Sequence, residues 1–475
     1  MRRGPGGSRV ACSIMWFRRD LRLRDNPALT AAVAEGDVVC ALVMPGADAG
    51  DQWGAGPCAW LHHSAAALDS SLRERGSHLV IRTEPPAQAL TRLAHECGAI
   101  RVHCTRLWTP AGMAEEETAS RELSGFGIEL EVHESQYLVS PDALRTGSGG
   151  PYRVFSPYHR AWLPAASDAG ALPAPTRISA PAYTPPTAGP VAPPPGGPDI
   201  SRWWRPGESG ALARLEHFAT DVVRSYAEDH DRPDLRHTSE LSPHLAFGEV
   251  SARVVVATVR ERASEQVAAP FVRQLAWREF SGHVLHHFPH TLDSPLREEF
   301  SAFPWSYDPG LLAAWQSGRT GYPLVDAGMR QLLATGWMHN RVRLGCGSFL
   351  TKDLLLDWRE GERHFRNRLA DFDQASNTFN WQWVAGCGAD AAPYFRVFNP
   401  SLQGAKFDPD GTYVRTWVPE LAALDSRWIH RPWDAPAGEL EAAGVALGRD
   451  YPLPVVNHAE ARDRALAAFA AIKRG

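Results

Sequence analysis

The chain has 475 residues, 44% of them hydrophobic and 22% charged, with a formal net charge of −5 at pH 7. That length exceeds one ordinary hydrophobic core, so two or three domains are expected. The acidic balance excludes a histone-like polyanion binder but leaves room for a local basic patch. No apolar run reaches the length of a membrane span, and the first one is cut off by Arg18, Arg19 and Asp20, which rejects a signal peptide. A soluble cytoplasmic monomer with no membrane partner is expected. The seven cysteines are scattered without a CxxC pair, so free thiols and no metal site are expected.

From the N-terminus, RVACSIMWF, DVVCALVMPG, SHLVIRTE, AIRVHCTRL and IELEVHES are short runs rich in Val and Ile that read as buried strands. Helical stretches such as 59–75 separate them. The alternation predicts an α/β domain over residues 1–138, a Rossmann-like parallel sheet with helices on its faces. Such sheets take ligands at the carboxyl ends of their strands, but the first strand runs into FRRDLRLRDNP and not into GxGxxG. Residues 139–205 are predicted to be an interdomain linker, because PAYTPPTAGPVAPPPGGP is too rich in proline for a helix or a central strand. Residues 206–475 are predicted to be a large all-α domain, with periodic segments at 210–228, 271–288 and 322–336. Within it, residues 328–368 carry eight Lys and Arg against four acids.

The most pointed stretch of the helical half is DFDQASNTFNWQW. If it is helical, Asp373, Asn377 and Trp381 share one stripe, an acid, an amide and an indole that each need a partner when buried. A flat heteroaromatic ligand would supply those partners. In HTSELSPHL the hydroxyls of Thr238, Ser239 and Ser242 either cap a helix or hold a phosphate at its start. VRQLAWREF places Gln274, Trp277 and Arg278 on adjoining faces of one helix, and WMHNRVR adds Asn340, Arg341 and Arg343. Together these stretches predict an inward-facing polar and aromatic cavity.

The motifs MWFRRDLRLRDNPAL, WREF, TGYPLVDAGMRQL, TGWMHNRVR, DWREGERHF, NWQW and FNPSLQGAKFDPDG, in this order, resemble the DNA photolyase/cryptochrome family over nearly the whole chain. The likeness is greatest to the bacterial class I cyclobutane pyrimidine dimer photolyases. It implies FAD in the helical domain and an antenna pigment, deazaflavin or folate, in the α/β domain. It also implies UV-damaged DNA as the partner, with dimers split by an electron from light-excited FADH−. The family's FAD contacts fall on Tyr226, Thr238, Ser239, Glu240, Leu241, Ser242, Arg278, Asn340, Asp371, Phe372, Asp373 and Asn377, with Asn377 at flavin N5. Its electron wire falls on Trp381, Trp358 and Trp305, and its DNA-facing positions on Gln274, Trp277, Asn340, Arg341, Trp383, Arg396 and Gln403.

Three positions depart from the class I pattern. Gln274 replaces the glutamate at the lesion, Phe372 replaces a glycine beside the flavin, and CTRLWTPAGMAEEE lacks the usual acidic pigment contact. Gln274 also resembles (6-4) photolyases, but Asn340 stands where those carry a second histidine. The resemblance implies a cyclobutane dimer repair enzyme, with a blue-light flavin photoreceptor without repair activity as the alternative. Trp277, Trp383 and Arg341 favour the enzyme, and Gln274 favours the photoreceptor.

Overall fold

Five strands form where the Val- and Ile-rich runs predict them: β1 (Ala11–Phe17), β2 (Gly36–Val43), β3 (Leu79–Arg82), β4 (Arg101–Thr105) and β5 (Glu129–His133). The computed structural model describes residues 11–44, 54–166, 170–189, 192–391 and 395–473. Residues 9–10 and 45–46, within two of the predicted strands, lie outside them. All pairings are parallel, and the sheet order is β3-β2-β1-β4-β5. Parallel neighbours need crossovers, and the helices Pro27–Glu35, Ala55–Arg73, Pro86–Cys97 and Pro110–Ser124 connect the strands. Prolines or an asparagine open three of them: Asn26 accepts from Leu29 N at 3.0 Å ahead of Pro27, and Pro86 and Pro110 occupy first turns.

The arginine-rich motif after β1 holds the two domains together. Arg22 donates to Gly248 O at 2.9 Å, and Arg19 donates to Ala246 O at 3.2 Å. Asp25, fully buried, accepts from Ser251 Oγ at 2.6 Å and pairs with Arg253 at 2.9 Å. A Cβ at Gly248 would lie 2.0 Å from Arg19 O, so only glycine allows this approach. The turn after β1, at the carboxyl end of its strand, is thus packed against Ala246 and Gly248 of the helical domain.

The segment predicted as linker is more structured than its prolines suggest. Residues 155–165 form a helix with Pro164 in its last turn, and its Tyr158 and Trp162 are buried in the helical domain. Trp162 Nε1 donates to Glu279 at 2.7 Å, and this buried carboxylate also accepts from Leu138 N and Val139 N. Further along, the chain runs over the α/β domain: Val38 N donates to Ser179 O at 2.7 Å and Ala188 N to Ile81 O at 3.1 Å. The proline-rich run forms no helix or strand among its described residues, as predicted.

The remainder is helical. Glu265–His287 is one helix of 23 residues with Pro270 near its start, and Pro323–Thr335 ends at the left-handed Gly336. The periodicity over 210–228 resolves into Glu208–His217, a π-turn at Phe218–Val222 and a short helix Tyr226–Asp229. Among the described residues, no helix is long and apolar enough to cross a membrane.

Candidate functional site

Three helices and one loop build a cavity in the helical domain. Gln374–Ala385 starts at Asp373, whose carboxylate accepts from Ser376 N at 2.8 Å, and stops at the left-handed Gly386. Asn340–Ser348 is capped by His339, whose Nδ1 accepts from Arg341 N at 3.2 Å. Trp358–Arg368 packs its Gly361 against Trp381, where a Cβ would sit 2.1 Å from the indole. Between these elements lies a cavity of about 200 Å³. Ser242, Asn340, Asp371, Asp373, Asn377 and Trp381 line it, together with Trp337 and Arg343. The predicted acid, amide and indole therefore face one space, with Asp373 serving as the helix cap and not as a residue within the helix.

The polar groups of the cavity are strongly oriented. Asp371, whose side chain is 2% exposed, accepts from Ser242 Oγ at 2.6 Å and pairs with Arg343 at 2.7 Å, both through Oδ2. Its Oδ1 is buried with no protein partner. A buried carboxylate oxygen without a donor is costly unless a ligand or water supplies one. Asn377 spends its amide hydrogens on Glu362, at 3.0 Å to Oε1 and 3.2 Å to the carbonyl, which leaves the amide oxygen for a ligand. Trp337 Nε1 donates to Ser242 Oγ at 3.0 Å. Sequence reasoning missed Trp337, although TGWMHN stood inside a quoted motif.

Of the hydroxyls of HTSELSPHL, only Ser239 touches the start of the helix that follows, through a long bond from Leu241 N at 3.4 Å. Ser242–Ala246 has Leu241 at its N-cap and no side-chain cap, so Thr238 and Ser239 remain half-buried beside its start. Glu240, at φ 48, pairs with Arg214 and Arg236, and Leu241 is fully buried. Arg278 reaches the same helix through Leu245 O at 3.4 Å and also donates to Gln136 O at 3.2 Å. Tyr226 stands apart from the cavity wall, stacked on His230 at 5.0 Å. Phe372 turns into the hydrophobic core with Trp358 and Phe365 and does not line the cavity.

The predicted wire residues share that core. Trp381 and Trp358 are 3% and 1% exposed, whereas Trp305 is half-buried at the cluster's edge, next to Phe303 at 4.3 Å. Trp381 lines the cavity, Trp358 is buried in the core and Trp305 reaches the cluster's edge. Trp381 also meets Phe365 at 5.0 Å and Trp315 at 6.1 Å, both edge-on.

The predicted DNA-facing residues are less uniform. Gln274 is exposed and Trp277 half-buried, its ring stacked on Phe155 with centroids 3.5 Å apart and planes at 6°. Trp383 is half-buried and donates to Asp390 O at 3.2 Å. Asn340 and Arg396 are exposed and Gln403 half-buried. Arg341 differs from the expectation of a free phosphate contact: it is bonded to Asp231 and lies 4.5 Å over the Phe407 ring. A second cavity, of about 600 Å³, lies between the domains, lined by Arg106, Trp108, Glu116, Leu130 and His286.

An α/β sheet latched to a helical domain thus stands beside a cavity that an orphaned carboxylate, an amide and an indole face together. The family profile described as "FAD binding domain of DNA photolyase" matches residues 271–471, and that described as "DNA photolyase" matches residues 13–179. The deoxyribodipyrimidine photo-lyase of Agrobacterium fabrum is 47% identical over 98% of this chain and 99% of its own length. Cryptochrome-1 of Arabidopsis thaliana is 37% identical over 97% of this chain and 70% of its own. The crystal structure of a bacterial class III photolyase from Agrobacterium tumefaciens superposes with a TM-score of 0.94, at 44% identity and 99% coverage of both chains. The chain belongs to the DNA photolyase/cryptochrome family, and its cofactor is FAD.

Proposed function

We propose that this protein repairs cyclobutane pyrimidine dimers in DNA by light-driven electron transfer. The observation that carries the reading is the buried, unpartnered Asp371 Oδ1 in a cavity that Asn377 and Trp381 also face. FAD fits this donor set, and when bound in reduced form and excited by blue light it supplies one electron to the lesion. Asp371 would accept a hydrogen bond from the cofactor through its free oxygen, and Arg343 keeps that carboxylate oriented. The Asn377 oxygen would accept from a protonated ring nitrogen and Thr238 and Ser239 would take the diphosphate, while Ser242, whose hydroxyl hydrogen goes to Asp371, would keep that carboxylate in place and Arg278 would steady their helix. Trp381, Trp358 and Trp305 replenish electrons from the surface.

A dimer in a duplex cannot reach a buried cavity and must be extruded; photolyases are a standard instance of such flipping. Trp277 and Trp383 give the flipped bases aromatic faces, at roughly 1–3 kcal/mol per base. Gln274, Asn340 and Gln403 supply polar contacts, and Arg396 a phosphate contact. Arg341 joins them only by exchanging Asp231 for a phosphate. The α/β domain, residues 1–138, carries any antenna pigment, with the interdomain cavity at Trp108 as its place. Residues 139–205 connect it to the FAD domain, 206–475. The reading includes a cytoplasmic monomer and needs neither class I nor class III membership. The photoreceptor alternative keeps FAD and the indole series but has no use for Trp277 and Trp383 as lesion walls.

The test is binding of a labelled oligonucleotide with and without one thymine dimer. The FAD-loaded protein binds the damaged strand preferentially, and Trp277→Ala and Trp383→Ala each cut that preference while leaving affinity for intact DNA unchanged. Equal binding of both strands by the native protein contradicts a lesion site.

A further inference from the structure

Strands β4 and β5 carry a cluster that the repair reading does not use. His103 and Glu131 are register partners across the two strands, and His133 follows Glu131 by two residues, which puts all three on one face of the sheet. His103 is fully buried, whereas the side chains of His133 and Glu131 are 16% and 41% exposed. His103 Nδ1 lies 3.2 Å from His133 Nε2 and 3.8 Å from a Glu131 oxygen, and His133 Nε2 lies 3.5 Å from the other. Ligands bound at about 2.0–2.1 Å in a tetrahedron stand about 3.3–3.4 Å apart, close to the spacing of the two ring nitrogens, and one Glu131 oxygen stands near each of them.

We propose that His103, Glu131 and His133 bind one divalent cation of the zinc type, with the fourth position open to solvent. The surroundings supply what such a site needs. His103 Nε2 faces Glu35 Oε2 at 3.2 Å, which places the ring proton on Nε2 and the lone pair on Nδ1, toward the other two ligands. Glu35 is itself held by Ser13 Oγ at 2.6 Å and by Arg101. A carboxylate behind a ligating histidine, fixed in turn by its own partners, is the usual support of a metal-bound imidazole. The local charge suits a cation: Glu35, Glu129 and Glu131 surround a single Arg101. The ion would tie β5, at the sheet's edge, to β4 just before the chain crosses to the helical domain.

The test uses tag-free, FAD-loaded protein stripped with a chelator and titrated with Zn²⁺ against a chromophoric competitor. One equivalent binds, and Zn²⁺ raises the thermal midpoint. Glu131→Gln and His133→Ala weaken binding more than about 100-fold and abolish the thermal shift, and Glu35→Gln weakens it roughly 10–100-fold. His62→Ala and His63→Ala, on the helix Ala55–Arg73 and outside the cluster, bind as the native chain does. Co²⁺ gives the intense visible absorption of a tetrahedral site in the native protein and not in His133→Ala. FAD content identifies any variant that misfolds, and Glu131→Gln, half-exposed and nearly isosteric, keeps the proposal testable in that event. Absence of stoichiometric binding, or native affinity in Glu131→Gln and His133→Ala, overturns it.

Discussion

Gly361→Ala should disturb the cavity through one contact. A Cβ at residue 361 would stand 2.1 Å from Trp381 Cη2, 2.4 Å from Cζ3 and 2.6 Å from Leu350 Cδ2, where ordinary contact begins at 3.4 Å. The indole must therefore retreat by about 1.3 Å, or the Trp358–Arg368 helix must. Overpacking of this kind costs about 1–3 kcal/mol, and replacing a mid-helix glycine returns about 0.5–1 kcal/mol. The net expectation is a loss of about 1–2 kcal/mol, with Trp381 pushed toward the cavity. Phenylalanine at 381 lacks the Cη2 and Cζ3 atoms that clash, so Trp381→Phe should cost less in the Gly361→Ala background than alone. A double-mutant cycle, read from the temperature at which FAD fluorescence is released, measures that coupling. Additive effects, or a Gly361→Ala protein as stable as the native one, would refute the close-packed geometry.

Asp371→Asn keeps the side chain's shape but leaves Arg343 without its carboxylate and replaces an acceptor by a donor. FAD content after purification should fall at least tenfold, and full retention would remove Asp371 from the binding site. Gln274→Glu should raise repair per absorbed photon with fully reduced FAD, because a protonated glutamate can transfer a proton to the developing charge where an amide can only donate a hydrogen bond; an unchanged or lower yield contradicts this role. Burial pushes His339 down to about 4, and its Nε2 has no partner. The native state then binds fewer protons than the unfolded chain between about pH 4 and 6.5, so this contribution is present above that window and is lost as the pH falls through it. It is on the order of 3 kcal/mol. His339→Gln should flatten the acid limb of a stability–pH profile relative to the native protein, and parallel profiles would exclude the effect.

The α/β half was legible because its signal is local. Four of the five parallel strands are buried and read as apolar runs, whereas β5, predicted buried as well, is half-exposed at the sheet's edge. The helical half was legible at its caps, as where Tyr322 and Gly336 bound the Pro323–Thr335 helix. What the sequence hid depends on distant partners. The helix 155–165 sits in a stretch read as linker, yet it provides Phe155, against which Trp277 stacks. Arg341 looked like a phosphate ligand until the fold brought Asp231 beside it. The hydroxyls before Ser242 offered two readings, cap or anion site, and only the absence of a side-chain cap separates them. His103, Glu131 and His133 lie on two strands that the sequence showed only as apolar runs, because a two-residue spacing carries no metal-motif signal and the third ligand comes through sheet register.

The most direct measurement of the repair reading is the fate of the lesion itself. FAD-loaded, fully reduced protein is mixed with an oligonucleotide containing one thymine dimer, illuminated with blue light, and the products are separated by chromatography. The account predicts loss of the dimer with matching recovery of intact thymines, in light only and over many turnovers per protein. An unchanged dimer after illumination, with FAD bound and reduced throughout, would contradict repair and make the protein a flavin photoreceptor.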